Sequence, residues 1–328
     1  FTDHMFVVDY SVEKGWHDAK VMPYGKFEID PSAMVLHYGQ EIFEGMKCYR
    51  TENNEFNLFR PLDNFNRLNK SAERICMANI PVELCMDGLI ALLSLDKEWT
   101  PHTPGTSLYI RPTMIATDPF LGVKASQTYK FYIILSPVGA YYAEGLAPVE
   151  IFVEDEYVRA VRGGIGTAKT GGNYAASILA GAYASKKGFA QVMWLDGVEQ
   201  KYVDEVGSMN MMFVYGDTVV TPALNGSILP GITRDSILKI AKDLGYSVEE
   251  KSIAIDDVIK DAESGKLTEA FGTGTAAVIS PVSGLHYKNK TTKIGDGTIG
   301  KVSQQLYDTL TGIQYGKVED KFNWILKV

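Results

Sequence analysis

The amino-acid sequence predicts a mixed α/β (α+β) protein with two domains. The chain has 328 residues, of which 45% are hydrophobic, and this is more apolar material than one domain of ordinary size needs. Short apolar runs typical of strands alternate with stretches of helical periodicity along most of the chain. Residues 137–148 are punctuated by glycine and proline and show neither periodicity, so we interpret them as a linker. We therefore expect a small N-terminal domain over residues 1–136 and a larger C-terminal domain over residues 149–328.

The N-terminal domain is predicted to combine short strands with two helices. Runs rich in aromatic and aliphatic residues indicate the strands, which are residues 6–10, 47–51, 56–59, 107–116 and 129–136. Apolar residues at helical spacing, with Pro61 suited to a first turn, predict a helix over residues 61–77. A second helix is predicted over residues 84–99.

In the C-terminal domain, strands and helices alternate. The predicted strands are residues 191–195, 211–215 and 267–271. The predicted helices are residues 173–185, 231–244 and 302–313. A turn rich in glycine and threonine, residues 272–277, is predicted to follow the third strand.

Charge and cysteine content narrow the class of protein. A formal net charge of −8 argues against binding to nucleic acids or to an anionic membrane surface. The three cysteines, Cys48, Cys76 and Cys85, lack the spacing of a metal site and are odd in number, so we expect reduced thiols. No metal is expected, and no secretion signal is visible in residues 1–10. We therefore expect a cytoplasmic protein.

Lys169 is the residue on which a catalytic interpretation depends. It is the only charged side chain between Arg162 and Lys186, and glycines flank it on both sides. An apolar setting favours the neutral amine of a lysine, which is a nucleophile for aldehydes. This pattern is typical of a Schiff-base lysine, although a lysine in an ordinary surface loop would give the same local sequence.

Three other segments could bind a phosphate group. Arg67 lies within a predicted helix and could grip a phosphate with two hydrogen bonds, or it could be a solvated charge on the helix face. Residues 231–233 begin a helix after a proline, where free amides and the Thr233 hydroxyl favour an anion. The turn at 272–276 offers further amides, but such turns are also common connectors.

A pyridoxal phosphate site also needs a carboxylate beside the pyridine nitrogen, because the protonated ring then acts as an electron sink. Glu205 is a candidate since it precedes an apolar strand in which an unpaired charge would be costly. An exposed glutamate at a strand edge is the alternative. The adjacent Asp204 is an equally open choice on sequence periodicity.

Taken together, the chain resembles the branched-chain amino acid aminotransferases, which are pyridoxal 5'-phosphate enzymes of fold type IV. The resemblance extends from about Phe6 to Trp324. It rests on these stretches: LHYGQEIFEGMK (36–47), FRP through Arg67 (59–67), SLYIRP (107–112), SPVGAY (136–141), KTGGNY (169–174), EVGSMN (205–210), ILPGITR (228–234) and GTA (274–276). The resemblance implies a smaller N-terminal domain and a larger C-terminal domain whose sheet forms a pseudo-barrel.

The resemblance also implies a role for each cofactor residue. Lys169 would bond covalently to the cofactor and move the reacting proton. Glu205 would pair with the pyridine nitrogen, and Tyr174 would hydrogen-bond the ring oxygen. The residues implied at the phosphate are Arg67, Ile232, Thr233 and Thr275, with Ser208 standing where a threonine is common in the family.

The substrate pocket is likewise implied by the resemblance. Its residues would be Tyr38, Phe43, Tyr109, Arg111, Tyr142 and Ala276. The amides of Thr275 and Ala276 would bind the substrate α-carboxylate, and Arg111 would bind the distal carboxylate of glutamate. Tyr38 would come from a partner subunit, so a homodimer is implied. From the sequence itself, Phe43 and Tyr109 could equally be core aromatics and Arg111 a structural ion-pair partner.

The function implied is a ping-pong transamination. L-Leucine, L-isoleucine or L-valine would donate its amino group to 2-oxoglutarate, giving branched-chain 2-keto acids and L-glutamate. One competing interpretation is another fold type IV enzyme, such as a D-amino acid aminotransferase or an aminodeoxychorismate lyase. Another is a non-catalytic protein that binds a phosphate ligand through its glycine loops, although Gly163–Gly166 fits neither nucleotide-binding motif.

Overall fold

The computed structural model of the chain describes residues 1–139 and 146–328. The helices are α1 (Met34–Tyr38), α2 (Pro61–Arg74), α3 (Val82–Asp96), α4 (Gly171–Lys186), α5 (Ile232–Asp243), α6 (Ile255–Glu263) and α7 (Lys301–Gln314). The strands are β1 (His4–Ser11), β2 (Gly15–Pro23), β3 (Glu41–Phe43), β4 (Met46–Arg50), β5 (Phe56–Phe59), β6 (Ser107–Ala116), β7 (Thr128–Val138), β8 (Val149–Glu154), β9 (Gln191–Leu195), β10 (Val203–Val206), β11 (Met209–Tyr215), β12 (Thr218–Pro222), β13 (Ser247–Lys251), β14 (Glu269–Gly274), β15 (Val278–Tyr287), β16 (Lys290–Lys293) and β17 (Ile325–Lys327). Over the described ranges, we find no helix with both the length and the hydropathy that crossing a bilayer requires.

The chain forms two compact units. The described residues of the first unit are 1–139, 168–172 and 312–328, and those of the second are 146–167 and 173–311. The predicted C-terminal domain included residues 168–172 and 312–328, which the contacts group with the first unit. The reason is local pairing: β17 is hydrogen-bonded to β5, and the Phe43 amide donates to the Lys169 carbonyl. Residues 140–145 of the predicted linker lie outside the described part of the chain.

The first unit is built on an antiparallel sheet of eight strands. Their order is β17-β5-β4-β6-β7-β1-β2, and β3 pairs with β6. Along β7, the side chains of Tyr129, Phe131, Ile133 and Leu135 are buried and those between them are half-buried. Because successive residues of a strand point to opposite faces, one face of the sheet lies in the core and the other carries more polar groups.

Helices α2 and α3 cover the apolar face of this sheet. Phe65, Leu68 and Ala72 of α2 belong to the same buried cluster as the β7 residues. The sequence predicted that α2 would continue to Met77, but the helix ends at Arg74. Cys76 has a φ of +56°, and this left-handed conformation cannot continue a right-handed helix.

The second unit contains a closed barrel of six strands. Neighbouring strands follow the order β10-β9-β8-β15-β14-β11, and β11 pairs with β10 to close the ring. Strands β12, β13 and β16 extend the sheet beyond the ring. The apolar interior includes Ile151, Met193, Val206, Met211 and Leu285. The predicted mixed α/β fold with a pseudo-barrel is therefore confirmed.

The glycines after residue 271 lie in a strand, which corrects the prediction that they form a turn. Strand β14 continues to Gly274. A Cβ at Gly272 would lie 2.8 Å from Val206 Cγ1 and 2.9 Å from Met209 Cε. Glycine is needed there because the neighbouring side chains of β10 and β11 occupy the space that any other residue would fill.

Candidate active site

The main chain around Lys169 is hydrogen-bonded on both sides within the first unit. The Lys169 amide donates to Ser71 Oγ of α2 at 2.9 Å, and its carbonyl accepts the Phe43 amide at 3.0 Å. The Thr170 hydroxyl donates to the Glu41 carbonyl at 2.6 Å. The half-buried Lys169 side chain places Nζ 4.6 Å from the centre of the Phe43 ring. The amine therefore lies over an aromatic face and not in bulk solvent.

Arg67 forms a buried ion pair that the sequence analysis did not anticipate. Its Nε and Nη2 atoms each lie 2.8 Å from a carboxylate oxygen of Glu44. Arg67 is 8% exposed and Glu44 is fully buried. This two-point geometry fixes the plane of the guanidinium group. Any phosphate bound by Arg67 would have to use the edge of the guanidinium that faces away from Glu44.

Four residues with pocket or Lys169 contacts share one face of the first unit's sheet. Tyr109 and Arg111 are two residues apart on β6, and Glu41 and Phe43 are two residues apart on β3. Strands β3 and β6 are paired, with Phe43 opposite Thr113. The alternation of the strands therefore directs Phe43, Tyr109 and Arg111 to the side that the core helices leave uncovered.

Arg111 is a half-buried cation held by aromatic groups. Its Nη2 donates to the Tyr109 hydroxyl at 2.9 Å. Its guanidinium carbon lies 4.8 Å from the centre of the Phe43 ring and 5.2 Å from that of Tyr109, which is cation–π geometry. The Nε atom is buried and has no hydrogen-bond partner in the described part of the chain. This donor is therefore available to an anionic group.

Tyr38 lies at the end of α1 and is 39% exposed. Its hydroxyl donates to the Leu121 carbonyl. Leu36, Phe120, Leu121 and Val123 nearby in the chain or the fold are also largely exposed, so the tyrosine belongs to an apolar surface. Tyr142, which was also predicted in the pocket, lies outside the described residues.

In the second unit, Glu205 is a buried carboxylate on β10, 3% exposed. Its Oε1 accepts the Leu229 amide at 2.7 Å, and its Oε2 lies 3.1 Å from Nε of Arg159. The ion pair with Arg159 favours the ionised carboxylate. The alternative of an exposed glutamate at a strand edge is wrong for this residue.

Asp204, the other carboxylate considered, is bonded within the protein. It accepts hydrogen bonds from the Ser227 hydroxyl at 2.6 Å and from the Asn225 amide at 3.0 Å. Burial raises the pKa of Asp204, while these hydrogen bonds and the charge of Arg159 oppose the rise. Asp204 therefore anchors the loop before α5, whereas Glu205 supports that loop from the next position.

The N-terminus of α5 follows this anchored loop. Gly231 is the N-cap, and no side chain caps the helix through a hydrogen bond. The amide of Asn210 donates to the Leu229 carbonyl at 2.9 Å, and a Cβ at Gly231 would lie 2.0 Å from Asn210 Oδ1. Ile232 and the buried Thr233 form the first turn. Helix starts of this kind attract anions through their amides and dipole.

The remaining predicted residues of the second unit lie in turns or at a helix start. Thr275 and Ala276 belong to the turn between β14 and β15, where Ala276 is exposed. Ser208 is exposed in the turn between β10 and β11. Tyr174 is half-buried in the first turns of α4. Of the predicted cofactor residues, Arg67 and Lys169 thus belong to the first unit and the others to the second.

Sequence reasoning missed three charged residues of these clusters: Glu41, Glu44 and Arg159. Glu41 and Glu44 lie inside an otherwise apolar stretch, residues 41–46, and a carboxylate there needs a partner. That signal could have identified a buried ion pair. Arg159 lies 46 residues before Glu205, and nothing in the sequence connects the two.

Comparisons with known proteins agree with this arrangement. The amino-transferase class IV family matches residues 41–285. Branched-chain-amino-acid aminotransferase 2 of Bacillus subtilis is 56% identical over 328 residues, which is 100% of this chain and 90% of that protein. The solved branched-chain amino acid aminotransferase of Escherichia coli has 27% identity and a TM-score of 0.83, with 99% of both chains covered.

A branched-chain amino acid aminotransferase whose source is abbreviated T.th. is similar as well. Its structure with pyridoxamine 5'-phosphate shows 26% identity and a TM-score of 0.83, and 99% of this chain and 98% of that one are covered. The same enzyme has been solved with N-(5'-phosphopyridoxyl)-L-glutamate and with 4-methylvaleric acid. The family's cofactor is pyridoxal 5'-phosphate. On its profile match, its identity to relatives and its barrel fold, this chain belongs to the class IV aminotransferases, within the branched-chain amino acid aminotransferase family.

Proposed function

We propose that the protein transfers the amino group of L-leucine, L-isoleucine or L-valine to 2-oxoglutarate by a ping-pong mechanism, yielding branched-chain 2-keto acids and L-glutamate. The observation that carries this proposal is the Phe43 ring, which has Lys169 Nζ at 4.6 Å and the Arg111 guanidinium carbon at 4.8 Å. One aromatic side chain thus contacts both the candidate nucleophile and a cation suited to a carboxylate. The 56% identity to a relative named for this activity supports it.

The residues present fit pyridoxal 5'-phosphate by the chemistry of their donors and acceptors. A phosphate would be bound by Arg67, by the amides of Ile232 and Thr233 at the uncapped start of α5, and by the Thr233 and Thr275 hydroxyls. The buried Glu205 carboxylate would accept the pyridinium N–H, and Arg159 at 3.1 Å keeps Glu205 ionised.

The other assigned contacts are polar. Tyr174 would hydrogen-bond the ring oxygen, and the hydroxyl of Ser208 would contribute to the cofactor site. The α-carboxylate of the substrate would be bound by the amides of Thr275 and Ala276. When bound, the cofactor supplies an aldehyde for the amino group and an electron sink that acidifies the substrate Cα–H.

Lys169 does the covalent work and the proton transfer. Its Nζ bonds to the cofactor, is displaced by the incoming amino group, and then takes the proton from substrate Cα as a general base. The hydrogen bonds from Ser71 and Phe43 fix the main chain of Lys169, so the amine is positioned before the substrate arrives.

The substrate pocket must accept an apolar side chain in one half-reaction and a carboxylate in the other. Phe43, Tyr109, Tyr38 and Tyr142 would supply aromatic walls. Arg111 would bind the distal carboxylate of glutamate, for which its unpartnered Nε is suited. The T.th. relative has been solved with both a glutamate adduct and a branched apolar acid, and this supports one pocket for both.

The assignment is tested by reducing the cofactor-loaded protein with borohydride and mapping the label by mass spectrometry. We expect a single labelled peptide that carries the cofactor on Lys169. Lys169→Ala should remain unlabelled and lose turnover with L-leucine, because nucleophile and base are lost together. Turnover of Lys169→Ala near the unmodified rate would contradict the proposal. Activity with D-amino acids in place of L-amino acids would favour a different fold type IV enzyme.

We further propose that the protein forms a homodimer in which Tyr38 contributes to the partner's pocket. The support is the exposed apolar surface near Tyr38, where Leu36, Phe120, Leu121 and Val123 are 59%, 45%, 64% and 86% exposed. Apolar surfaces of this kind are typical of interfaces. Analytical ultracentrifugation should show a dimer, and Leu121→Asp combined with Val123→Asp should shift it to monomer. A monomeric unmodified protein would contradict this proposal.

A cytoplasmic location is proposed as well. Its support is that Cys48, Cys76 and Cys85 are free thiols, as is usual in a reducing compartment. Fractionation of the source cells followed by immunodetection tests this location.

A further inference from the structure

Glu41 is a half-buried carboxylate on the same face of the first unit's sheet as Arg111. It lies on β3, two residues before Phe43, and β3 is paired with β6, which carries Arg111. The arrangement described for the cofactor and substrate gives Glu41 no role. Its side chain nevertheless shares its surroundings with the cation that the proposed function assigns to the distal carboxylate.

Two contacts hold the carboxylate of Glu41 in place. The amide of Gly171 donates a hydrogen bond to it. A Cβ at Gly171 would lie 2.0 Å from Glu41 Oε1, so only glycine at this position allows the carboxylate to come so close. The Glu41 carbonyl also accepts the Thr170 hydroxyl at 2.6 Å. Glu41 is therefore fixed to the segment that carries Lys169.

Glu41 and Arg111 interact through their charges. Burial raises the pKa of Glu41, and both the Gly171 hydrogen bond and the positive charge of Arg111 oppose that rise. Burial also raises the pKa of Tyr132 on the neighbouring strand, with the charge of Glu41 adding to the rise and that of Arg111 reducing it. The two charges thus act on one shared region of the sheet face.

We propose that Glu41 is a specificity-determining residue, whose carboxylate balances the charge of Arg111 and so weakens binding of dicarboxylates relative to apolar monocarboxylates. This proposal rests on the proposed function, because it takes Arg111 as the group that binds the distal carboxylate. An apolar side chain beside a half-buried cation is costly unless a counter-charge is present. A dicarboxylate brings a second negative charge to Arg111, which Glu41 repels.

The test compares Glu41→Gln with the unmodified, cofactor-loaded enzyme. Glutamine keeps an oxygen for the Gly171 amide and removes only the charge. Calorimetry gives the dissociation constants of two non-reacting acids, glutarate and 4-methylvaleric acid. We expect the glutarate constant to fall roughly fivefold, the size of one partly screened charge, and that of 4-methylvaleric acid to stay constant or rise. The KM for 2-oxoglutarate should fall in parallel with little change in kcat.

Three further variants identify the cause of any change. Glu55→Gln removes an exposed carboxylate at the edge of the same sheet, where Glu55 pairs with Lys327, and should leave both constants unchanged. Glu41→Asp retains the charge and should keep the ratio of the two constants near that of the unmodified enzyme. Arg111→Gln should weaken glutarate and abolish the effect of Glu41→Gln in the double variant.

An unchanged ratio of the two constants in Glu41→Gln would overturn the inference. If Arg111→Gln still weakens glutarate in that case, the proposed function stands without it. If Arg111→Gln leaves glutarate binding unaltered, both the role of Arg111 and the inference fall. A Glu41→Asp variant that reproduces the glutamine effect would show that position and not charge is responsible, and would also overturn the inference.

Discussion

Arg111 illustrates how one side chain can serve two kinds of substrate. Its guanidinium packs against the rings of Phe43 and Tyr109 and keeps a buried Nε donor without a partner in the described structure. We predict that Arg111→Gln lowers kcat/KM for L-glutamate and 2-oxoglutarate by roughly tenfold or more, since a hydrogen bond to a charged group contributes about 1.5–3 kcal/mol. The value for L-leucine should fall far less. Steady-state kinetics of both half-reactions measure this, and equal losses would contradict the role.

The Arg67–Glu44 pair should matter for stability as well as for the cofactor. Glu44 is fully buried and bonds Arg67 through two contacts of 2.8 Å. We predict that Glu44→Ala lowers the free energy of unfolding by about 3–5 kcal/mol, because an arginine charge would be left buried without its partner. Urea denaturation measures the change. The exposed Glu55→Gln serves as control and should change the value by less than about 0.5 kcal/mol.

Lys47, on β4 opposite Tyr109, gives a prediction that depends on pH. Burial lowers the pKa of Lys47 to about 8. Above this pH the folded protein releases the proton before the unfolded chain does, so stability rises with pH from about 8 to about 10.5. We predict that Lys47→Met stabilises the fold at pH 7 by about 1–3 kcal/mol, with the gain shrinking by pH 10. Urea denaturation at both pH values would contradict this if the gain were constant.

At the residue scale, the sequence predicted groups whose chemistry is unusual for their surroundings. Lys169 is one, since a single lysine among glycines and apolar residues stands out. Glu205 could not be separated from Asp204 until the structure showed that Asp204 bonds Ser227 and Asn225. Arg159 could not be predicted at all, because its partner is distant in sequence and only the folded barrel brings the charges to 3.1 Å.

At the scale of elements, the start of α5 depends on close packing at Gly231. A Cβ there would lie 2.0 Å from Asn210 Oδ1, and Asn210 holds the Leu229 carbonyl at 2.9 Å. We predict that Gly231→Ala displaces Asn210 and weakens pyridoxal phosphate binding, with a stability loss of about 1–3 kcal/mol. Equilibrium titration of the cofactor-free protein measures the binding. Gly245→Ala, at a helix end far along the chain from Gly231, should leave cofactor affinity unchanged.

Elements with one buried face were predictable, and exposed ones were not. Strands β6 and β9 match their predicted ranges in full, because apolar residues fill their sequences. Strand β13, with the sequence SVEEK, and β16, with KTTK, are largely exposed. Their polar sequences resemble loops, and their strand geometry comes from pairing with β12 and β15. Tertiary hydrogen bonding, which no local pattern records, determines them.

At the scale of the whole molecule, the first unit is completed by the chain's last residues. Ile325 pairs with Phe59, and the Trp324 carbonyl accepts the Arg60 amide at 2.8 Å. The Trp324 ring packs edge-on against Phe59 with centroids 5.6 Å apart. We predict that deletion of residues 322–328 lowers the free energy of unfolding by about 3–5 kcal/mol, the usual cost of losing a buried large aromatic group. Thermal and urea unfolding measure it, and Lys327→Ala is the matched surface control.

The overall fold class followed from strand and helix patterns, whereas the return of residues 312–328 to the first unit did not. That return has a consequence for biosynthesis. A ribosome releases the N-terminal sheet long before it releases β17, so the edge of β5 waits without its neighbour while about 260 further residues are made. During that interval the nascent chain exposes a row of unpaired peptide groups, which is where a chaperone would bind to prevent aggregation.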